Sequence, residues 1–387
     1  MLHDFTYYNP TRIHFGKSAL NKLPQELENH GTNVLLLYGK SAIKKIGLYD
    51  QVIGLLQAAD KKVTELAGVD PNPRYSTVLE GAKLVKDHQI DLILAVGGGS
   101  TIDCAKAISV AAYAEGDAWT RFWINGENVT HPIVPVGSIL TMTGTASEMN
   151  SGSVITHTDK KLKVGRVFPS FVNPVFSILN PEYTYSVPKT QMVSGIFDIF
   201  SHLLEQYFSG NDDNTTDYVI EGILRSLIVS SRKALINPED YEARSNIMWC
   251  STLALNKIAG VSKTQDWEVH MIEHQIGAYT DCPHGLGLAV VSTAYYKYIY
   301  QEGLDKFVRF ATQVWNIDPS GKSKEEIALA GIDALIDFIK ELGIPTTLRQ
   351  LGVTEDMLPL IAASTFPGGG YKKLQQEDIL NVLKACY

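Results

Sequence analysis

Two short patterns in the second half of the chain combine side chains that bind metal ions. They are Asp198-x-x-x-His202 and His270-x-x-x-His274, and one further histidine follows at His284. Residues four apart share one face of a helix, so each pattern can direct two side chains at one ion. Three imidazoles and a carboxylate suit Zn²⁺ or Fe²⁺. Either pattern alone is compatible with a surface pair or a hydrogen-bonded core histidine, but their joint occurrence favours a metal site.

A glycine-rich segment in the first half has the character of a phosphate-binding turn. It reads Gly97-Gly98-Gly99-Ser100-Thr101-Ile102-Asp103 and follows a run of apolar residues typical of a buried strand. Glycines allow close backbone approach, and the N-terminus of a following helix attracts anions. The segment does not match the G-x-G-x-x-G fingerprint, and a tight turn that binds nothing is the alternative.

Two other segments are candidates for the same cofactor. Hydroxyls of Thr141 and Thr143, in the stretch 141–148, could line its groove, although that stretch taken alone is better explained as a Ser/Thr-rich helix cap. Gly39-Lys40-Ser41 follows an earlier strand, where NAD-selective folds often carry an acidic residue. A carboxylate would repel a 2′-phosphate, whereas these residues would accept one. They favour NADP(H) over NAD(H), with a solvated loop as the alternative.

The elements that must position these groups change in kind along the chain. In the first half, apolar strands predicted at 34–38, 62–66, 91–96, 133–136 and 175–179 alternate with helices such as 41–59 and 76–89. This alternation predicts a parallel, Rossmann-like sheet covered by helices. Helices dominate from about Pro188, the clearer ones at 194–208, 217–235, 241–258, 267–279 and 325–342. We therefore expect an α/β nucleotide-binding domain over 1–181 and an all-α metal-binding domain over 182–387.

Composition narrows the class of protein. The 387 residues carry a net charge of −8, with 45 % hydrophobic and 20 % charged residues. This charge gives no footprint for nucleic acid or an anionic membrane. The N-terminus does not resemble a secretory signal, and no run of about 18 apolar residues predicts a membrane span. The four scattered cysteines form no disulfide framework, so a cytoplasmic location is expected.

Taken in order, these motifs resemble the iron-type, or group III, alcohol dehydrogenases, in particular their butanol dehydrogenase and aldehyde reductase branch. The segments that carry the resemblance lie at 9–17, 70–73, 97–103, 143–148, 198–202, 270–274 and 283–285. The resemblance implies a dehydroquinate synthase-like architecture of two domains. It also implies hydride transfer between NADP(H) and a small primary alcohol or aldehyde such as butanol or butanal, and a homodimer or larger homo-oligomer.

The resemblance assigns roles to particular residues. The ligands of one divalent ion, Fe²⁺ or Zn²⁺, correspond to Asp198, His202, His270 and His284. His274 corresponds to a residue near the nicotinamide and substrate, where it would relay a proton or shape the pocket. The cofactor contacts expected on the N-terminal domain are Gly97, Gly98, Gly99, Ser100, Asp103, Thr141 and Thr143.

The chain departs from the family pattern in two places. A family lysine near the cofactor phosphates is matched by Lys163, but Lys160 and Lys161 are alternatives that spacing does not exclude. Ala146 stands where many members have glycine. Competing interpretations are an NAD-dependent polyol dehydrogenase of the glycerol or 1,3-propanediol type, a dehydroquinate synthase-like lyase, and a non-catalytic cofactor-binding sensor.

Overall fold

The computed structural model describes residues 2–210 and 213–387 and divides the chain into two compact units. One unit runs from Tyr8 to Val187, and the other combines the residues before Tyr8 with the chain from Pro188 onward.

The N-terminal unit is built on parallel β-strands. In chain order the strands are β1 (Arg12–Phe15), β2 (Asn33–Tyr38), β3 (Lys62–Ala67), β4 (Leu92–Gly97), β5 (Val136–Leu140), β6 (Gly152–His157), β7 (Leu162–Val167) and β8 (Phe176–Leu179). Six of them form one sheet in the order β1-β8-β5-β4-β2-β3, with every neighbouring pair parallel. Strands β6 and β7 form a separate antiparallel hairpin. The predicted parallel sheet is confirmed.

Five α-helices accompany these strands. They are α1 (Leu23–Leu27), α2 (Ala42–Lys45), α3 (Leu48–Ala58), α4 (Tyr75–Asp87) and α5 (Gly99–Ala111). Every residue of β4 is buried, as are five of the six in β2. Strands whose two faces are both covered read as continuous apolar runs, which is why the sequence revealed them.

The strand order creates a switch point between β2 and β4. The chain leaves β2 towards β3 at one side of the sheet, but it leaves β4 towards β5 at the other side. In open parallel sheets, ligands bind at such a point, beyond the carboxyl ends of the strands. Residues 39–41 follow β2 and residues 98–100 follow β4, so both predicted cofactor segments lie at this edge.

Two predicted elements in this unit were wrong in detail. The single helix expected over 41–59 is two helices, because the chain turns at Gly47, which has a φ of 70°. The strand expected over 133–136 begins only at Val136. Pro135 has no amide hydrogen to donate to a neighbouring strand, so regular pairing starts after it.

The second unit is helical. Its helices are α6 (Lys189–Tyr207), α7 (Thr215–Ile236), α8 (Tyr241–Ala254), α9 (Glu268–Thr280), α10 (His284–Ile299), α11 (Leu304–Gln313), α12 (Lys324–Leu342), α13 (Met357–Ser364) and α14 (Gln376–Ala385). No strand follows Leu179 in the described part of the chain, which confirms the all-α expectation. Helix α6 is central, since every residue from Met192 to Tyr207 is buried. Within residues 2–210 and 213–387, no helix has both the length and the apolar character needed to cross a bilayer.

Helix α10 was not predicted. It is apolar on nearly all sides and has glycines at 285 and 287, so it lacks the one-sided periodicity that marks a surface helix. This omission matters because His284 is its first residue.

Candidate functional site

The helical unit brings four of the predicted metal-binding side chains to one point. From Asp198 Oδ1, the Nε2 atoms of three histidines lie at 3.5 Å (His202), 3.7 Å (His284) and 3.8 Å (His270). The imidazole rings of His202 and His270 are nearly parallel, with centroids 4.8 Å apart. One carboxylate oxygen and three imidazole nitrogens therefore surround a single small volume.

Three helices supply these four side chains. Asp198 and His202 lie one turn apart on α6, His270 lies in the first turn of α9, and His284 opens α10. The approach of α10 to α6 depends on Gly285, whose amide donates to Ser194 Oγ. A Cβ at position 285 would lie 1.8 Å from the carbonyl oxygen of Ser194. Only glycine permits this contact, which brings His284 to Asp198.

Two buried glutamates, which the sequence analysis did not single out, orient two of the imidazoles. The Nδ1 atom of His270 is hydrogen-bonded to Glu205, and that of His284 is hydrogen-bonded to Glu273. Both carboxylate side chains are inaccessible to solvent. Metal-binding histidines commonly bond a carboxylate through the second ring nitrogen, which fixes the tautomer and aims the first nitrogen at the ion. The sequence signal that identifies both is a glutamate three residues after a proposed histidine ligand: Glu205 follows His202, and Glu273 follows His270.

The electrostatics of this cluster fit a bound cation. Burial by itself would raise the pKa of Asp198. The surrounding imidazoles outweigh this effect and lower the pKa to about 2. Burial lowers the pKa of His270, and the carboxylates of Glu205 and Asp198 raise it overall to about 10. Asp198 Oδ1 and His270 Nε2 are both buried and have no hydrogen-bond partner among the residues that the structure describes. A divalent ion between them would satisfy both atoms, whose unmet bonding costs about 1–3 kcal/mol each.

His274 lies beside the cluster. It is buried, and its ring stacks on that of His284 with centroids 5.6 Å apart. Ligand atoms of Glu273, His274 and His284 lie within 4.8 Å of one another. His274 is therefore a direct neighbour of His284, one of the four proposed ligands.

The glycine-rich turn and the segment after β5 are neighbours in the N-terminal unit. Gly97 pairs with Leu140 in the sheet, and the amide of Thr141 donates to the carbonyl of Gly97 at 2.9 Å. A Cβ at Gly99 would lie 2.1 Å from Thr145 Oγ1, so the segment packs directly on the turn. Thr143 lies in the same loop and is half-buried. Ser100 donates its hydroxyl hydrogen to the carbonyl of Pro71.

Lys40 lies at the same edge of the sheet. Its side chain is 75 % exposed, and its Nζ lies 3.3 Å from Asp70 Oδ1. Gly39 also bonds across this edge, since its carbonyl accepts from the amide of Gly68. An ion pair this exposed is weak, so Lys40 remains available to a phosphate.

Asp103 and Lys163 occupy more interior positions. The carboxylate of Asp103 accepts from Ser147 Oγ and, at 2.9 Å, from the amide of Val154. It therefore joins α5 to the loop and strand that follow β5. Lys163 is buried in the β6–β7 hairpin opposite Thr156, whereas Lys160 and Lys161 are exposed in its turn. Burial distinguishes Lys163 from its two neighbours.

Comparison with known families identifies the protein's relatives. Residues 10–181 match the family model described as iron-containing alcohol dehydrogenase. Residues 192–387 match the model for the C-terminal part of the same family. The chain belongs to the iron-containing alcohol dehydrogenase family. The resemblance drawn from its motifs is confirmed.

Individual members of the iron-containing alcohol dehydrogenase family are similar over their full length. The probable NADH-dependent butanol dehydrogenase 1 of Bacillus subtilis is 42 % identical, with 99 % of this chain and 100 % of that protein covered. The NADPH-dependent aldehyde reductase YqhD of Escherichia coli is 37 % identical, with 100 % and 99 % covered. The crystal structure of NADH-dependent butanol dehydrogenase A from Thermotoga maritima superposes with a TM-score of 0.95 at 34 % identity, covering 100 % and 99 %.

Membership in this family establishes the type of reaction and the architecture. The protein is an alcohol and aldehyde oxidoreductase that uses a nicotinamide cofactor, and the family implies a divalent metal. The two-domain fold expected from the sequence is confirmed by its structural relatives. The relatives named above include both NADH- and NADPH-dependent enzymes, so cofactor preference has to be argued from this chain's own residues.

Proposed function

We propose that this enzyme transfers hydride between NADP(H) and a small primary alcohol or aldehyde of the butanol and butanal type, at a site that holds one divalent cation. The observation that carries the proposal is the convergence of four side chains on one volume: Asp198, His202, His270 and His284. When bound, the ion supplies Lewis-acid polarisation of the substrate oxygen, and the nicotinamide supplies or accepts the hydride.

The protein's own residues hold and orient these groups. Glu205 and Glu273 keep two imidazoles turned with Nε2 towards Asp198. His274 would exchange a proton with the substrate oxygen or shape the pocket around it, a role supported by its burial and by the stacking of its ring on His284. Gly97, Gly98 and Gly99 connect β4 to the start of α5, and the amide hydrogens of this helix N-terminus would attract the pyrophosphate.

The preference for NADP(H) rests on the residues that follow β2. Gly39, Lys40 and Ser41 include no carboxylate, and Lys40 offers a mostly exposed ammonium group at the switch point. Asp70 lies next to Lys40, but its carboxylate has a second cationic neighbour, since Arg74 Nε lies 3.8 Å from Asp70 Oδ2. Replacing Lys40 with alanine should raise the KM for NADPH about tenfold and change the KM for NADH by less than about twofold. Equal changes for both cofactors would contradict the assignment.

One assay series tests the reaction and the metal together. The apoprotein, prepared with a chelator, is reconstituted with Fe²⁺ or Zn²⁺ and assayed for oxidation of NADPH and NADH with butanal, and in the reverse direction with butanol, glycerol and 1,3-propanediol. We expect metal-dependent turnover with butanal and NADPH. Faster turnover of NAD⁺ with a polyol would favour the polyol dehydrogenase alternative, and no turnover with any pair would refute the proposal.

We also propose that the enzyme forms a homodimer or larger homo-oligomer. Strand β1 is an edge strand of the six-stranded sheet, where a second chain could add a strand, and Phe15 on β1 is exposed. Light scattering after size-exclusion chromatography should give at least twice the chain mass of 42.6 kDa. A monomer at micromolar concentration would refute this part of the proposal.

A further inference from the structure

Lys106 is a buried charge for which the proposed reaction has no use. Its side chain lies on α5, two turns after the glycine-rich turn, and is completely inaccessible to solvent. Lysine is almost never fully buried unless its charge is paired, because removing an ammonium group from water is costly. The contacts of Lys106 should therefore reveal what it does.

Those contacts are concentrated on one short segment. The Nζ atom donates to the carbonyl of Ser147 at 3.1 Å, and to the carbonyl and Oδ1 of Asn150 at 3.3 Å each. It also pairs with Asp103 Oδ1 at 3.3 Å. Asp103 in turn accepts from the hydroxyl of Ser147. Lys106 and Asp103 thus bind the segment 147–150 to α5 from one side.

The residue immediately before this segment is strained. Ala146 has a φ of 48° and is completely buried. An L-residue in the left-handed region costs roughly 1–2 kcal/mol, so it persists only where its surroundings impose it. The hydrogen bonds of Lys106 to Ser147 and Asn150, immediately after Ala146, are suited to impose it.

The same contacts reach the glycine-rich turn. Asn150 Nδ2 donates to the carbonyl of Thr145 at 3.1 Å. Thr145 packs so closely on Gly99 that its Oγ1 would lie 2.1 Å from a Cβ there. Contacts therefore run from Lys106 through Asn150 and Thr145 to the backbone at the start of α5. A shift of the segment would move the side chain of Thr145 relative to the place where the pyrophosphate is expected.

We propose that Lys106 is a positioning residue that holds the segment 145–150, with its strained Ala146, against the glycine-rich turn and so sets the shape of the cofactor-binding edge. The inference rests on the proposed function in one respect, namely that residues 97–100 receive the cofactor pyrophosphate. Lys106 is completely buried and acts through the segment 145–150, so its removal should weaken cofactor binding rather than metal binding.

The test replaces Lys106 with methionine, which keeps the length and most of the volume but removes the charge and the hydrogen bonds. Dissociation constants for NADPH and NADH are measured from nicotinamide fluorescence, at a temperature where circular dichroism shows the variant folded. We expect the dissociation constant of the preferred cofactor to rise about tenfold, with KM for that cofactor rising in parallel. The kcat at saturating cofactor should change less than about threefold, and the bound metal should be unchanged.

Ser109→Ala is the matched control. Ser109 is also fully buried on α5, but its hydroxyl donates to the carbonyl of Val134 and not to the segment 145–150. It should lower the thermal midpoint and leave cofactor affinity unchanged. If Lys106→Met fails to fold, Asn150→Ala serves instead, because it removes the side-chain hydrogen bonds to Lys106 and Thr145. It should also weaken cofactor binding.

A second substitution tests the strain itself. Glycine adopts a φ of 48° without strain, so adding Ala146→Gly to Lys106→Met should recover at least about threefold of the lost affinity. The proposal would be overturned if Lys106→Met lost the same affinity with and without Ala146→Gly. Unchanged cofactor affinity in Lys106→Met would also overturn it, as would equal losses of affinity in Lys106→Met and Ser109→Ala. A wild-type enzyme that binds neither cofactor would instead refute the proposed function.

Discussion

At the scale of single residues, the proposed metal site depends on which ring nitrogen each histidine directs towards the ion. A neutral imidazole has one nitrogen that donates and one that accepts, and only the latter can bind an ion. In this enzyme the carboxylates of Glu205 and Glu273 occupy Nδ1 of His270 and His284, which leaves Nε2 directed at Asp198. The glutamates therefore decide the orientation of two of the four proposed ligands.

Removing the charge of either glutamate should weaken metal binding. We expect Glu205→Gln and Glu273→Gln each to lower the affinity for Fe²⁺ or Zn²⁺ by about 10–100-fold, because such carboxylates fix the ring and raise its basicity. Competition with a chelator, followed by elemental analysis, measures the effect. Glu355→Gln, at an exposed position in the same unit, is the control. Wild-type affinity in both glutamate variants would show that these carboxylates serve packing alone.

At the scale of elements, the cluster depends on how closely two helices approach. Helices α6 and α10 meet where the amide of Gly285 bonds Ser194 Oγ, one helical turn before Asp198. The residue after a proposed ligand is therefore as constrained as the ligand itself. The spacing of histidines in the sequence does not express this constraint.

Gly285→Ala should disrupt the metal site while the helices persist. The new methyl group would overlap the Ser194 carbonyl and push the start of α10 away, which moves His284 from Asp198. We expect at least a tenfold loss of metal affinity, with helical circular dichroism within about 10 % of wild type. Gly222→Ala on α7 is the matched control, since a Cβ there meets nothing within 4 Å. Full metal content in Gly285→Ala would show that the contact is not needed.

Strand β1, the outermost strand of the sheet, is held to α1 by charged side chains. Glu26 on α1 accepts two hydrogen bonds from Arg12, at 2.8 and 2.9 Å, and lies 2.7 Å from His14 Nε2. Burial raises the pKa of Glu26, but the hydrogen bonds and charges of Arg12 and His14 lower it overall, below its usual 4.5. The carboxylate thus fastens α1 to β1.

The contacts of Glu26 with Arg12 and His14 should make the folded protein less stable in acid. Because the folded pKa of Glu26 lies below its unfolded value, its contribution is complete above about pH 4.5 and disappears as the pH falls through the lowered folded value. Glu26→Gln should lower the free energy of unfolding by about 1 kcal/mol at pH 7, a modest value because Arg12 is largely exposed, and by less near pH 3.5. Urea titrations at both pH values measure it.

Glu28→Gln provides the comparison on the same helix, since Glu28 is exposed. It should change the free energy of unfolding by less than about 0.5 kcal/mol at either pH. An effect of Glu26→Gln that stays constant from pH 7 to pH 3.5 would rule out the ion pair as its source.

At the scale of the whole molecule, the two kinds of chemistry belong to different units. The four proposed metal ligands and both orienting glutamates lie in the helical unit, whereas the glycine-rich turn, Lys40 and Lys106 lie in the unit from Tyr8 to Val187. Metal and cofactor should therefore stabilise different parts of the chain.

Hydrogen exchange with and without metal tests this division. At a free metal concentration about 1,000 times the dissociation constant, binding stabilises the folded state by about 4 kcal/mol. A chelator should therefore speed amide exchange in α6, α9 and α10, and leave β2, β4 and β5 within about twofold of their original rates. Faster exchange spread evenly over both units would contradict the assignment of all four ligands to one unit.

The sequence by itself determined the class of fold and the candidate groups. Strands β2 and β4 are buried on both sides and appear in the sequence as continuous apolar runs, so the alternation of such runs with helices predicted a parallel sheet. Histidines on helices keep a fixed spacing, so Asp198 and His202 were correctly placed on one helix. The ordered motifs identified the family, which the comparisons confirm. Local rules suffice for these features because each depends on neighbours a few residues away.

Only the tertiary structure decided which segments, distant in the chain, come into contact. Strand order placed residues 39–41 beside 98–100, although about sixty residues separate them in the chain. The same is true of Glu205 with His270, and of Gly285 with Ser194. The sequence did not single out Lys106. It shows one lysine within a mostly apolar helix, but not that this lysine bonds a loop about forty residues later in the chain. Such contacts depend on packing between distant segments, which local propensity does not encode.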